Sequence, residues 1–161
     1  GDVAHIHLYD RTNRTAALAT IDARDIPLVS GKKWSRHGRG YVSSIDGDRN
    51  RIFLHRVIFG KTAEGYEIDH VDRDRLNNRR NNLRKATRSE NDINRPGKPG
   101  SSSKYKGVAW IRNRGKYRAD ITCQGQHRHL GYFADERLAA MAYNAAAVRC
   151  FGKFAWLNNI D

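Results

Sequence analysis

The chain has 161 residues and a mass of 18.4 kDa, which is enough for one full domain or two small ones. Hydrophobic residues make up 39% and charged residues 29%, a balance typical of a globular protein that excludes wholesale disorder. No apolar run approaches the roughly 20 residues of a membrane helix, and no secretory signal is visible, so we expect a cytoplasmic protein. The only cysteines, Cys123 and Cys150, are too few for a disulfide framework or a four-ligand zinc site. We expect both to be reduced, partly buried thiols.

The net charge of +13 is the first indication of function. The basic excess is present in residues 1–66, 67–100 and 101–161, so it is not confined to a tail. A polyanion that contacts every segment would explain this distribution, whereas solubility alone needs a net charge of only about 2–8. A membrane surface is disfavoured because no basic amphipathic helix carries a large apolar face. The charge therefore predicts a nucleic-acid partner, with simple solubility as the alternative.

The first 60 residues have the pattern of short strands. Residues 6–9 and 16–21 are predicted strands on either side of a polar turn. Residues 41–45 and 51–59 flank an Asp-Gly turn, which is a strong hairpin signal, although the end of the second segment could equally begin a helix. His55 lies among apolar neighbours, so we interpret it as a hydrogen-bonded core histidine rather than a catalytic one.

The central segment predicts a strand, a long polar loop, a second strand and a short helix. The strands are residues 66–70 and 83–86. Thr87 followed by Glu90 is a capping-box pattern, so a helix should begin there and carry Asn91 in its first turns.

A Pro-, Gly- and Ser-rich segment, residues 96–104, follows and is predicted to be a linker. Its charges are all basic. The linker could therefore follow a phosphate backbone, and a passive tether is an equal alternative.

The last segment, residues 105–161, predicts three antiparallel strands backed by one helix. The strands are residues 107–112, 116–122 and 128–132. In the middle strand the alternation predicts one face with Lys116, Arg118, Asp120 and Thr122 and another with Tyr117, Ala119, Ile121 and Cys123. The helix, residues 135–149, should be capped by Asp135, end before Gly152 and bury a stripe of Leu138, Ala142, Ala145 and Val148.

Such a sheet with a basic outer face fits the major groove of DNA. RNA binding is a weaker alternative, in which Trp110, Tyr117 and Tyr132 would stack on bases.

Three side chains of the central segment have the types that phosphodiester hydrolysis needs. Asp69 can supply an oxygen ligand to a hard metal ion, and His70 can act as a base near neutral pH. Asn91 can add a second oxygen donor from the helix. The pattern alone leaves an even alternative, in which the carboxylates and asparagines only cap turns and His70 is exposed. Because neighbours on a strand point to opposite faces, Asp69 and His70 can share a site only where the strand ends or twists.

The central segment resembles the HNH nuclease family with the ββα-metal fold, in the branch of phage and intron-borne homing endonucleases. The matching segments are residues 54–56 (LHR), 68–72 (IDHVD), 76–79 (LNNR), 81–84 (NNLR) and 87–91 (TRSEN). The resemblance places the first family histidine on His70, the middle asparagine on Asn82 and the third position on Asn91. It implies that Asp69 and Asn91 hold one Mg²⁺ or Mn²⁺ per active site. It further implies that His70 is the general base and that Asn82 holds its imidazole by side chain or carbonyl.

Residues 105–159 resemble the plant ethylene-response-factor (AP2/ERF) DNA-binding domain, a resemblance that implies duplex DNA as the partner. The matching segments are residues 105–108 (YKGV), 115–117 (GKY), 130–133 (LGYF), 139–146 (AAMAYNAA) and 157–158 (LN). Most of the DNA-reading arginines of that family are replaced here, by Ala109, Ile111 and Thr122 among others, so the plant target sequence does not transfer.

The expected fold class is α+β, with a ββα-metal nuclease core, N-terminal strands, and a three-stranded antiparallel sheet plus one helix. The expected domains are 1–50, 51–95, the linker 96–104 and 105–161. The expected function is a metal-dependent, site-specific DNA endonuclease of the homing or nicking type, acting as a monomer on double-stranded DNA. The alternative is a non-catalytic DNA-binding protein with a decayed nuclease core.

About half of the central arginines could instead be solvated surface charges. The residues expected to contact DNA are Arg73, Arg75, Arg79, Arg80, Arg84, Lys98, Lys104, Lys106, Arg112, Arg114, Lys116, Arg118 and Arg128.

Overall fold

The computed structural model describes residues 2–97 and 100–160. The chain divides into two compact units, unit 1 (Gly1–Arg88) and unit 2 (Ser89–Asp161). Both combine small antiparallel sheets with short helices, so the predicted α+β class is confirmed. Within the described ranges, no helix has the length and apolar character needed to cross a lipid bilayer.

Unit 1 contains three small antiparallel sheets, formed by β1–β2, β3–β4–β5 and β6–β7. Its elements are β1 (Val3–Tyr9), β2 (Thr15–Asp22), α1 (Ile26–Val29), β3 (Ser35–His37), β4 (Tyr41–Ile45), β5 (Arg51–Phe53), α2 (Leu54–Phe59), β6 (Tyr66–His70) and β7 (Leu83–Thr87). The predicted strands are confirmed, and the segment after the Asp-Gly turn is part strand and part helix. The sequence patterns did not indicate β3 or α1.

The core of unit 1 joins the N-terminal strands to the central hairpin. Leu8 and Ile21 from the first sheet pack with Trp34, Leu54 and Leu83 in one buried cluster. The indole nitrogen of Trp34 donates a hydrogen bond to the carbonyl of Val29 at 3.0 Å, which satisfies its polar atom inside the core. Because Leu83 begins β7 directly after the long loop, this cluster fixes the loop end of the β6–β7 hairpin against the first sheet.

The long loop between β6 and β7 is also bonded to β2. Thr20 donates its backbone N–H to the carbonyl of Leu76 at 2.8 Å, and the backbone N–H of Asn78 donates to the carbonyl of Thr20 at 2.7 Å. These bonds form a parallel bridge between Thr20 and Asn77. The loop is therefore ordered by backbone contacts with a strand more than 50 residues earlier in the chain.

Unit 2 contains one three-stranded antiparallel sheet with strand order β10–β9–β8. Its elements are α3 (Arg88–Ile93), which begins at the unit boundary, β8 (Val108–Ile111), β9 (Lys116–Cys123), β10 (Gln126–Phe133) and α4 (Glu136–Phe151). The predicted alternation in β9 is confirmed, since Ala119, Ile121 and Cys123 are buried while Lys116 and Thr122 are exposed. Both cysteines are free thiols, as predicted.

The start of α4 is as predicted, but the face that it buries is not. Asp135 caps the helix by accepting hydrogen bonds from the backbone N–H groups of Arg137 at 2.6 Å and Leu138 at 3.2 Å. The predicted buried stripe is wrong, because Leu138 and Val148 are 52% and 51% exposed. The buried residues are Ala139, Ala140, Tyr143, Ala146 and Ala147. Small alanine side chains let the helix backbone approach the sheet closely, while Leu138, Met141 and Val148 face outward.

The end of the predicted linker belongs to the fold of unit 2. Ser103 is only 8% exposed, and its hydroxyl accepts a hydrogen bond from the backbone N–H of Tyr105 at 3.1 Å. The hydroxyl of Ser102 accepts one from the backbone N–H of Trp110 at 2.9 Å. The predicted DNA contact Lys98 lies outside the described residues. The serines thus act as turn residues rather than as free spacer.

Candidate active site

Asp69 and His70 lie at the end of β6, where the strand gives way to a turn. Asp69 pairs with Arg84 of β7 and His70 with Leu83, the first residue of that strand. The backbone N–H of Arg73 donates to the carbonyl of His70 at 2.9 Å and closes the turn. Asp69 is 6% exposed and His70 is 4% exposed. Strand β6 thus ends at His70, and the end of a strand is where Asp69 and His70 could serve one site although they are neighbours in sequence.

The carboxylate of Asp69 is held by the arginine opposite it in the hairpin. Its Oδ2 atom accepts hydrogen bonds from Nε of Arg84 at 2.8 Å and from Nη2 at 2.6 Å. The Arg84 side chain is only 12% exposed. Charge-assisted bonds of this kind fix the position of the carboxylate. The contact of Arg84 with a DNA phosphate stays a prediction.

The imidazole of His70 is paired with Asn78, a residue that the sequence analysis did not single out. Nε2 of His70 lies 3.2 Å from Oδ1 of Asn78, which has no exposed surface. Burial lowers the pKa of His70, although the Asn78 hydrogen bond and the negative charges of Asp72 and Asp69 oppose that shift. A lowered pKa leaves the ring neutral at pH 7, which is the state that can accept a proton.

Asn82 organises the loop that follows β6. Its amide nitrogen donates to Oδ1 of Asp72 at 2.8 Å and to the carbonyl of Asn77 at 2.7 Å. Its side-chain oxygen accepts from the backbone N–H of Asp72 at 3.0 Å, and its carbonyl accepts from that of Val71 at 2.8 Å. Asn82 therefore ties the turn after His70 to the start of β7. Its direct role on the imidazole stays a prediction.

A cluster of rings from the N-terminal region surrounds His70. The ring of His55 lies 5.4 Å from that of His70 and 5.2 Å from that of Tyr41, and Arg75 stacks over Tyr41 at 4.5 Å. His55 is buried as predicted, but its Nδ1 atom has no hydrogen-bond partner among the described residues. The predicted hydrogen bond is therefore absent at that atom. Burial, together with the positive charges of His70 and Arg56, lowers the pKa of His55 to about 3.

Two of the predicted DNA-binding arginines are bonded to aspartates of the N-terminal region. Arg79 donates through Nε to Asp22 at 2.9 Å. Arg80 donates through Nε to both carboxylate oxygens of Asp25 at 3.0 Å and through Nη2 at 2.8 Å. Asp25 is 2% exposed, and its hydrogen bonds to Arg80 raise the pKa of that guanidinium. These pairs join the loop to the N-terminal region, whereas Arg73 is exposed.

The donor set near Asp69 limits the kind of metal ion that it could hold. In the part of the chain that the structure describes, no three His, Cys, Asp or Glu side chains cluster as metal ligands. One carboxylate supplemented by neutral oxygen donors fits Mg²⁺, which keeps several waters and binds phosphate oxygens. Asn91 lies in α3 and belongs to unit 2, so its pairing with Asp69 stays a prediction.

The outer face of the unit 2 sheet carries several of the predicted DNA contacts. Lys116 is exposed on β9, and Arg114 stacks over the ring of Tyr132 at 4.4 Å. Arg118 donates through Nε to Asp120 at 2.5 Å, so part of its charge is compensated on the same face.

The other predicted contacts in unit 2 lie away from the centre of that face. Lys106 donates through Nζ to the carbonyls of Ile93 at 2.8 Å and Arg95 at 2.7 Å, just beyond the end of α3. Lys104, Arg112 and Arg128 are exposed.

Comparison with known proteins gives two kinds of match. Residues 53–93 match a family model described as HNH endonuclease. An uncharacterised HNH endonuclease, L560, of Acanthamoeba polyphaga mimivirus is 34% identical over 164 residues, which cover 99% of this chain and 83% of the relative. Protein 3.8 of Escherichia phage T7 is 30% identical over 91 residues, which cover 56% of this chain and 75% of the relative. No solved structure gives a significant match.

Proposed function

Because the chain belongs to the HNH endonuclease family and is a DNA endonuclease, we propose that it cleaves DNA at a specific site with His70 as general base. The observation that carries this proposal is the buried imidazole of His70 at the end of β6, next in sequence to Asp69, whose negative charge acts on it. Burial lowers the pKa of His70, so the ring is neutral and basic at pH 7.

In the proposed reaction the chain activates a water molecule and directs it at the scissile phosphate. The neutral imidazole of His70 accepts a proton as the water oxygen bonds to phosphorus. The bond from phosphorus to the 3′ oxygen breaks, and the 3′ oxygen then takes a proton from solvent. The products are a 5′-phosphate and a 3′-hydroxyl. Asn82 keeps the turn after His70 in place through its bonds with Asp72 and Asn77.

Divalent-metal dependence is general in this family, and we propose that one Mg²⁺ or Mn²⁺ is the ion. By the resemblance described above, Asp69 and Asn91 would hold it in a ββα arrangement. When bound, such an ion neutralises charge at the phosphate and the leaving oxygen. Arg84 orients the carboxylate of Asp69 for this purpose through its two hydrogen bonds.

We propose that unit 2 supplies DNA affinity and site selection in the manner of an ethylene-response-factor domain. The antiparallel sheet backed by α4 and the exposed Lys116 and Arg114 on its outer side support this role. Affinity that comes from phosphate contacts weakens steeply as salt rises. Because the sequence has no internal repeat that would match a palindromic site, the enzyme would act as a monomer on an asymmetric site.

Plasmid nicking tests the catalytic part of the proposal. The unmutated chain should nick supercoiled plasmid with Mg²⁺ or Mn²⁺, and a chelator should stop the reaction. His70→Ala and Asn91→Ala should bind DNA normally in gel-shift assays and lose cleavage. The matched control is His5→Ala, which removes an exposed histidine of β1 in the same unit. A His70→Ala variant that cleaves like the unmutated chain would show that His70 is not the base.

A salt titration tests the role of unit 2. Lys116→Ala should lower the slope of log Kd against log salt by about one unit. Lys153→Ala makes the same charge change at an exposed position outside the predicted contacts, and it should leave the slope unchanged. Equal slopes for the unmutated chain and both variants would exclude Lys116 as a phosphate contact.

A further inference from the structure

We propose that Asn78 is a positioning residue that fixes the imidazole of His70 in the tautomer with its proton on Nε2. Nδ1 is then the atom that accepts the proton from water. This inference rests on the proposed role of His70 as general base, and it gives a role to Asn78, which the family resemblance includes in a matching segment without assigning it one. It also specifies which of the two ring nitrogens reacts.

The orientation of the Asn78 amide decides the tautomer. Its Nδ2 donates a hydrogen bond to the carbonyl of Arg75 at 3.1 Å. Because that carbonyl can only accept, Nδ2 must point toward it and Oδ1 must point toward His70. Oδ1 is also only an acceptor, so Nε2 of His70, at 3.2 Å, has to be the donor. A neutral imidazole with hydrogen on Nε2 carries its lone pair on Nδ1.

The amide cannot turn over without losing the hydrogen bond to the Arg75 carbonyl, whichever tautomer the ring adopts. A flipped amide would place Nδ2 against Nε2 and leave the carbonyl of Arg75 facing another acceptor. Asn78 has no exposed surface, so water cannot replace the lost bonds. The structure therefore favours one orientation of the amide and, through it, one tautomer of the ring.

The backbone of Asn78 is as firmly held as its side chain. Its N–H donates to the carbonyl of Thr20 at 2.7 Å, and Thr20 donates back to the loop at Leu76 with 2.8 Å. Strand β2 thus fixes the backbone of Asn78, and the side chain of Asn78 contacts His70. This chain of contacts gives the N-terminal hairpin a function in the active site, in addition to its part in the core.

The amide of Asn82 is less suited to this task because its partners lie in the loop. Its nitrogen bonds to Asp72 and Asn77, and its oxygen bonds to the backbone of Asp72. Residues that orient a metal-ligating histidine through its second nitrogen contribute about 10- to 100-fold to activity or metal affinity, and we take the same range for the orientation of a general base. We expect a loss of that size in cleavage rate when the acceptor on Asn78 is removed.

The experiment combines a direct measurement of the tautomer with a matched pair of variants. Nitrogen-15 NMR of the His70 side chain in the full chain at neutral pH shows which ring nitrogen carries hydrogen. Asn78→Leu removes the acceptor at nearly constant volume. Asn78→Asp retains an acceptor oxygen toward His70 but loses the donor to the Arg75 carbonyl, so it separates the contact with the ring from the contact with the backbone. Single-turnover cleavage and gel-shift binding are measured for each, with thermal unfolding to check the fold.

The expected result is an Nε2-protonated ring in the unmutated chain and in Asn78→Asp. Asn78→Leu should show loss of that signature and a 10- to 100-fold slower cleavage step with unchanged DNA affinity. A folded Asn78→Leu that keeps the tautomer and the rate overturns the proposal. If Asn78→Leu does not fold, the spectrum of the unmutated chain still tests the proposal. A His70 ring with its proton on Nδ1 would refute the proposal without any variant. Failure of the unmutated chain to cleave would count against the proposed function, while the tautomer would still be measured.

Discussion

The buried His55 should make the stability of unit 1 depend on pH in a way that can be calculated. Its pKa is lowered from the ordinary 6.5 to about 3, chiefly by burial. Between these values only the unfolded chain binds the proton, so stability is complete above pH 6.5 and is lost as pH falls toward 3. At pH 5, about 1.5 pH units below 6.5, the loss is about 2 kcal/mol, at about 1.4 kcal/mol per unit.

The perturbation is His55→Phe, which keeps an aromatic ring beside Tyr41 and His70 and removes the titrating group. Urea unfolding at pH 7.5 and pH 5 measures the effect. The NMR signal of the Trp34 indole N–H reports on unit 1, because that group is buried and bonded to Val29. We expect the unmutated chain to lose about 2 kcal/mol more than His55→Phe over this pH interval.

The control for this experiment is His5→Phe, which removes an exposed histidine of the same unit and should keep the original pH dependence. Burial also lowers the pKa of His70, with the same sign of effect on stability. The pH dependence of stability in the unmutated chain alone therefore includes both histidines. The difference in pH dependence between the unmutated chain and His55→Phe isolates the effect of His55. Parallel pH dependences for the two proteins would refute the reasoning.

Three further changes test the packing of the two units by urea unfolding. Arg80→Ala should lower the free energy of unfolding by about 3 kcal/mol because it leaves the buried carboxylate of Asp25 unpaired. Adding Asp25→Asn should recover part of that loss, and a double variant without any recovery would contradict this explanation. Gly107→Ala should cost about 3 kcal/mol, since φ is +75° and a Cβ would lie 2.0 Å from Cδ2 of Tyr143; an unchanged midpoint would show that the ring moves easily. Asp135→Ala should lower stability by about 1 kcal/mol and Asp135→Asn by less, through loss of the helix cap.

Local patterns predicted the strands of the fold because strand alternation and turn residues act within a few positions. The face of β9 and the cap of α4 are examples, and both follow from near neighbours. The buried face of α4 could not be predicted from apolarity alone, because the strongly apolar Leu138 and Val148 lie on the exposed face while alanines lie on the buried one. The buried face of α4 is the one that lets the helix approach the sheet most closely. That approach depends on the size of the side chains between them, which are mainly alanines here.

Residues of the candidate site could be proposed from sequence where one segment carries them, but not where distant segments meet. Asp69, His70 and Asn82 are close in sequence, and the family resemblance proposes roles for them. Asn78 looked like one of several loop asparagines. Its importance depends on Thr20, whose carbonyl binds its backbone, and no local pattern indicates that pairing.

The N-terminal region therefore belongs to the nuclease as much as the matched segment does. Residues 53–93 carry the family pattern, yet the loop inside that segment is held by partners that precede it. Thr20 binds the loop backbone, and Asp22 and Asp25 bind two of its arginines. An arginine that is paired with an aspartate holds the loop in place, and part of its positive charge is already compensated by that carboxylate. Exposed Arg75 instead stacks on Tyr41 beside His70 and donates a hydrogen bond to the carbonyl of Arg39, and its contact with a DNA phosphate stays a prediction.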